Sequence, residues 1–505
     1  MNMDCISFEV NSRRSACFFL MGFLLSFAII PLQSIAADSM FKGEGGDLAN
    51  AELWEPSGSQ GVVTNDGTYN ATADLNFSAL SVRAADVTFD FSQTPLRKVL
   101  FDGSVTEALT IHPTKSRTFF KGGEWIVAEN KTCNFYCGAG SGSKTHDHEV
   151  FLDNCVWTNL NRVYVGYSEA RCKLTLDNNS CIYAKQFFLM NKSQPGCELN
   201  IIGGSGMYLS DSTNPFYSDN GNGAASGKIS ISGEGTIISA PKGIFQIGNN
   251  SANHTMVLSN KASLVVGSLY VGRASGAIGS KMLVADEASL NANEVYVRSK
   301  DGSMVVSNAV MTVATSLNVG CIDWCGGKFV LSGNNAELEY QPNGWFDVFV
   351  AGSGQSEFCI ENGAEWHLEN NPRLGVKTSN SVFRVSGGSL YIGVDTNGTF
   401  EVGAGSNRDN NPADSISNRI EVCNGGVLGF GGLRLSGNGN AFIVSNATVN
   451  LQTRSEDNVM HIGYRYFDWK EGVSTNCSLI IRGNTPKINA QDTQLSINNG
   501  SVLRF

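Results

Sequence analysis

The chain is poor in charge and nearly empty of helical pattern. Only 16% of its 505 residues are charged while 42% are apolar, which supplies more surface for burial than a disordered chain carries. The net charge is −10 and there is no long Lys/Arg run, so a phosphate backbone is not an expected partner. Beyond the amino terminus, apolar residues recur at i and i+2 rather than at i+3 or i+4, which excludes helical domains. No Gly-x-Ser-x-Gly elbow or phosphate loop occurs. The acidic glycine run Gly43-Glu44-Gly45-Gly46-Asp47 appears once, so the repeated calcium nonapeptide is missing too. No cofactor is expected from any motif.

The amino terminus is read as a secretory leader. Arg13 and Arg14 precede an apolar run from Ala16 to Ile30, and Ser34-Ile35-Ala36-Ala37 offers small residues for cleavage after Ala36 or Ala37. That run is shorter than the about 20 residues of a membrane-spanning helix, and no later segment approaches such a length. A retained anchor is the alternative. The expected division is a signal peptide at 1–36, a cap with irregular first coils at 37–124, and repeats at 125–505.

The repeats are clearest from Phe245 to Gly320. Their anchors Gly248, Gly272, Arg298 and Gly320 are spaced by 24, 26 and 22 residues. Such a period built from very short strands marks a stacked repeat architecture. Within one unit, Met304 and Val306, then Met311 and Val313, then Leu317 and Val319 alternate with polar residues, giving three short strands per coil. Asparagine stands at the turn in Asn260, Asn308, Asn362 and Asn446, where a sharp corner needs the left-handed backbone region. The expectation is an all-β parallel β-helix, a right-handed β-solenoid of 22–26 residues per coil, with about 15 coils and a length of about 70 Å. Thr94 to Ser116 shows no clear repeat and is expected to be a cap or a long loop. Polar insertions are expected at Gly138–Glu149, Asp211–Gly227 and Ser406–Ser417.

Thirteen cysteines include Cys5 and Cys17 in the leader. Cys155/Cys181 and Cys172/Cys197 are each about one repeat apart, so either disulfides or a buried thiol stack is expected on successive rungs. Cys133 and Cys137, with His146 and His148 nearby, are weak candidates for a tetrahedral zinc site. The pairs Cys133/Cys137 and Cys321/Cys325 are better read as local staples. The acids Asp286-Glu287, Asp409 and Glu456-Asp457 are dispersed and read as solvated corners. Trp125 and Trp366 lie in strand-like stretches, whereas Trp324, Trp345 and Trp469 lie near turns, and packing beneath loops is the favoured reading.

Units ending Leu-Tyr-Val-Gly or Leu-Asn-Val-Gly, separated by Ser-Asn-Ala or Asn-Gly-Ala turns, resemble the passenger regions of bacterial autotransporters and related surface repeat proteins. That resemblance implies the parallel β-helix shared with pectate-lyase-like proteins. It also implies a translocating barrel, and the repeat is still running at Phe505, so a fragment is expected, the alternative being a final rung capped by another chain. The expected function is an exported stalk or adhesin presenting Ser141–Glu149 and Asp211–Gly227 to a glycan or to a host or neighbouring cell surface. The alternative is a carbohydrate lyase or hydrolase, which would gather carboxylates with Lys or Arg in one groove.

Overall fold

The computed structural model describes residues 38–505 apart from short segments, the longest being 139–145, 220–225, 404–414, 452–458 and 464–474. The leader reading lies outside the described residues. The chain is a parallel β-solenoid with three faces. Eighteen strands, from Gly46–Asp47 to Val502–Arg504, build the first face as one parallel stack in which each strand pairs with its counterpart in the next coil. At about 4.8 Å per rung the stack is about 80 Å long. The sequence estimate falls three coils short because rungs are already being laid down from Gly46. Residues 94–116, expected as a cap or a loop, carry strands Lys98–Phe101 and Glu107–Ile111, and both pair in parallel with neighbouring coils.

The second and third faces run together through the middle of the chain. Ser289–Val297 and Val310–Val319 are single bent strands whose register slips between Ala292 and Glu294. Farther on the two faces separate into distinct strands, such as Ser389–Ile392 and Thr399–Val402. The inward residues read from the sequence are all buried: Met304, Val306, Met311, Val313, Leu317 and Val319 are at most 1% exposed. Parallel stacking turns each position into a continuous row, so one apolar core follows the axis. Early rungs fill it with aromatics, among them Trp125 and Trp157, whose centroids are 4.9 Å apart. Trp366 is buried as well, while Trp324, Trp345 and Trp469 lie outside the described residues.

Corners carry the backbone strain. Asn260, Asn308, Asn362 and Asn446 take φ of 53°, 49°, 56° and 51°, the left-handed region that asparagine tolerates. Their side chains reach the neighbouring coil, as in Asn260 Nδ2 to Ser232 Oγ at 2.7 Å and Asn362 Nδ2 to Ser332 Oγ at 2.9 Å. Coil length varies while register does not. Lys281 to Ser303 is 22 residues, whereas Val382 to Arg419 and Ala441 to Ser478 are each 37. The added residues are placed between strands, so every first-face strand still finds its partner.

Another corner forms a buried polar column. The residue just before each first-face strand is Ser116, then His148, Cys172, Cys197, Gly227 and His254, and its carbonyl accepts from the first amide of the next rung's strand, as in Glu198 N to Cys172 O and Lys281 N to His254 O, both 2.8 Å. Farther along, Asn418 and Asn440 continue the column, with Ser381 N donating to Asn418 Oδ1 at 3.0 Å and Asn418 N to Asn440 Oδ1 at 2.7 Å. A polar side chain is tolerated there because the neighbouring rung supplies its hydrogen bond.

Candidate functional site

The four residues named as zinc candidates are not gathered. Cys133 precedes and Cys137 ends the extended strand Asn134–Cys137, which separates them by about 13 Å at about 3.3 Å per residue. That distance also rules out the local staple. Both thiols are buried, with Cys133 Sγ facing the Gly103 carbonyl and Cys137 Sγ that of Lys173, and burial raises the Cys133 pKa. His148 is buried, with Nδ1 2.8 Å from Ser116 Oγ. His146 is half-exposed, with Nδ1 2.7 Å from Asp147 Oδ2. Hydrogen bonds from Arg171 hold the Asp147 carboxyl down at about 2. Among the described residues no group of three or more His, Cys, Asp or Glu is placed to hold a metal. Cys321 and Cys325 lie outside the described residues.

Two of the expected insertions are partly built into the stack. Residues 146–149 contribute the His146–Ala170 bridge and the start of strand Glu149–Asp153. Within 211–227, strand Phe216–Tyr217 supplies a rung of the third face, with the buried Phe216 ring 4.9 Å from Phe187 and 4.0 Å from Phe245. Two residues later Asp219 is fully buried. Its carboxylate accepts from the backbone N–H groups of Asn249 at 2.7 Å, Asn250 at 3.1 Å and Ser251 at 3.4 Å. The described part of 211–227 is turn and anchor, while 139–145 and 220–225 lie outside the described residues.

Besides a corner hollow of about 550 Å³ lined by Glu234, Lys261, Asp286 and Glu287 among others, two concavities among the described residues have mixed polar lining. The first, of about 670 Å³, lies where the second face turns into the third and is lined by Asn130, Lys131, Asn159, Tyr183, Lys185 and Tyr208, among others. Tyr183 and Tyr208 stack at 4.8 Å. The Tyr208 ring lies back over Gly206, where an added Cβ would come within 2.7 Å of it. Stacking along the axis covers one face of each ring, and Tyr183 remains 42% exposed. The outward column Tyr136, Tyr164, Phe188 and Tyr217 is stacked at 4.8 to 4.9 Å and crossed edge-on by Tyr167, so its inner rings are covered on both faces. It is a satellite core on the outer surface.

The second concavity, of about 500 Å³, lies on the first face and holds the gathering of charge that the enzymatic alternative calls for. Glu357 is bound by Lys328 Nζ at 3.1 Å and Arg384 Nη1 at 2.5 Å. Glu421 is bound by Arg384 Nε at 2.9 Å and Arg419 Nε at 3.3 Å. Burial pushes Glu357 up, but hydrogen bonds from Cys359 and Lys328 outweigh it and hold the carboxyl below its ordinary range. Cys359 is driven up to about 12 by burial and by Glu357. This site was not legible in the sequence, because Lys328, Glu357, Arg384 and Glu421 are separated in turn by 27 to 37 residues and meet only through the stacking. The dispersed acids Asp286 and Glu287 stand at a corner with φ of 55° and 63°.

Comparison with known proteins adds no relative: no family model, no curated protein and no solved structure matches the chain. No helix among the described residues is long and apolar enough to cross a membrane.

Proposed function

We propose that the chain is an exported, surface-associated solenoid with a structural or adhesive role and without catalysis, similar in kind to an autotransporter passenger. The observation that carries this reading is the state of Glu357 and Glu421 at the charged groove, which Asp301 also lines. Glu357 and Glu421 are each held by two cations, and Glu357 is held ionised. General acid catalysis needs a carboxyl whose pKa is raised to keep its proton. A base would need a carboxylate with lone pairs turned to the groove. Lys328, Glu357, Arg384 and Glu421 are spent on joining rungs, and Arg419 pairs with Glu421 within its own strand.

The groove still has the composition that a lyase or hydrolase would gather, and a polysaccharide-cleaving enzyme is the second reading. Incubating the purified chain with a panel of acidic and neutral polysaccharides separates the two. No new reducing ends or unsaturated products are expected. Products that disappear in Arg384→Met and Glu357→Gln variants would overturn the non-catalytic reading. A glycan or cell-surface partner is then sought by binding, and the Lys131 and Lys185 rim of the larger concavity is the first surface to test.

A further inference from the structure

Of the nine cysteines whose placement is described, two occupy equivalent positions on neighbouring rungs. Cys172 and Cys197 each stand one residue before a first-face strand, and those strands pair Lys173 with Glu198. Both side chains are 0% exposed. Each follows a residue in the left-handed region, Arg171 at φ 55° and Gly196 at φ 80°, so the two corners enter the core with like backbone shape. The other pair one repeat apart fails this test. Cys181 is in register with Val156 rather than with Cys155, and the pleat then sends Cys155 inward and leaves Cys181 half-exposed. The sequence treated the two pairs alike; the register separates them.

We infer that Cys172 and Cys197 form a disulfide that staples two successive rungs when the chain folds with an oxidant present. The about 4.8 Å between rungs falls inside the Cα separations of disulfides, about 4.4 to 6.8 Å. The Cβ atoms of parallel-pointing side chains start near that same separation, slightly beyond the usual range, so closing the bond draws the corners together by a few tenths of an ångström. The chemistry is exchange with a disulfide oxidant. One cysteine thiolate attacks the oxidant's S–S bond and releases one thiol. The second thiolate then displaces the other, so two protein thiols and one oxidant disulfide become one protein disulfide and two free thiols. Full burial sets the timing. An oxidant reaches these sulfurs only before the rungs close, and a reductant afterwards is excluded by the same packing. The inference goes beyond the proposed surface role and does not depend on where the protein resides.

Refolding denatured, reduced protein with oxidised and reduced glutathione, then alkylating and mapping the peptides by mass spectrometry, tests it. A Cys172–Cys197 cross-linked peptide is expected in most molecules, whereas protein folded under reducing conditions and exposed to glutathione disulfide afterwards stays unbridged. The bridged form should melt a few degrees above both the reduced form and a Cys172→Ser/Cys197→Ser double variant, since serine already occupies this column at Ser116 and Ser280. Refolded protein with both thiols alkylated, or a Cys155–Cys181 link in their place, would overturn the assignment. The mapping uses the unaltered chain and holds even if the variant folds poorly.

Discussion

His254 Nε2 lies 3.4 Å from Asp219 Oδ2 and 2.8 Å from Ser251 Oγ, with both His254 and Asp219 at 0% exposure. Nε2 faces these oxygens, and Nδ1 faces Gly227, with no hydrogen-bond partner among the described residues. Burial lowers the His254 pKa to about 4 against the opposing pull of Asp219. The pair joins the 211–219 segment to the turn of the next coil.

Stability should therefore fall on mild acidification. A base whose pKa is lower folded than unfolded contributes its full stability above the unfolded value of 6.5 and loses it as the pH drops toward about 4. The loss amounts to about 3 kcal/mol over that window. Urea melts at pH 7 and pH 4.5 measure it. A His254→Asn variant, which places here the residue type that fills this column farther along, should show a smaller difference between the two pH values.

Core substitutions in the best-preserved repeats should be severe. Val271 and Val297 are in register on adjacent rungs and fully buried. Val297→Asp would bury an unpaired carboxylate, costing several kcal/mol. Thermal melting checks this, and a variant melting with the wild type would contradict the inward assignment.

Corner glycines should differ among themselves. Gly272 has φ of 77°, and an added Cβ would meet the Ser299 backbone at 2.7 to 2.8 Å. Gly425 has φ of 81° but nothing within 4 Å. Gly272→Ala should cost about 2 kcal/mol or more and Gly425→Ala about 1 kcal/mol, the latter from backbone strain alone. Comparing their denaturation midpoints isolates the steric part.

The charged ladder should contribute modestly. Arg384 is about one-third exposed, its side chain retaining 33% accessibility, so solvent screens its bonds. Arg384→Met should cost about 1 kcal/mol, and the difference from wild type should shrink as salt is raised. A difference independent of salt would place the effect in packing instead.

The fold was legible because its evidence is local and repeated. Alternation around Met304 and Val306 names the inward face, and Asn308 names the corner, without knowledge of any distant residue. Register was not legible. Whether Cys181 faces Cys155 or Val156 depends on a one-residue slip at a corner, and spacing of about one repeat does not resolve it. For the same reason the Lys328–Glu357–Arg384–Glu421 ladder could not be seen, since coils of unequal length hide which residues share a column. Phe216–Tyr217 was missed because a two-residue strand between Asp211 and Asp219 carries too little apolar pattern to stand out from its turns.

Constant register on the first face with coil lengths of 20 to 37 residues gives each corner a fixed address along the axis, whatever is written there. A corner can be lengthened, exchanged or decorated while the pitch and its neighbours' positions are preserved. Selection can therefore revise what the rod displays one corner at a time, with the distance between any two displays set in advance by the number of rungs between them.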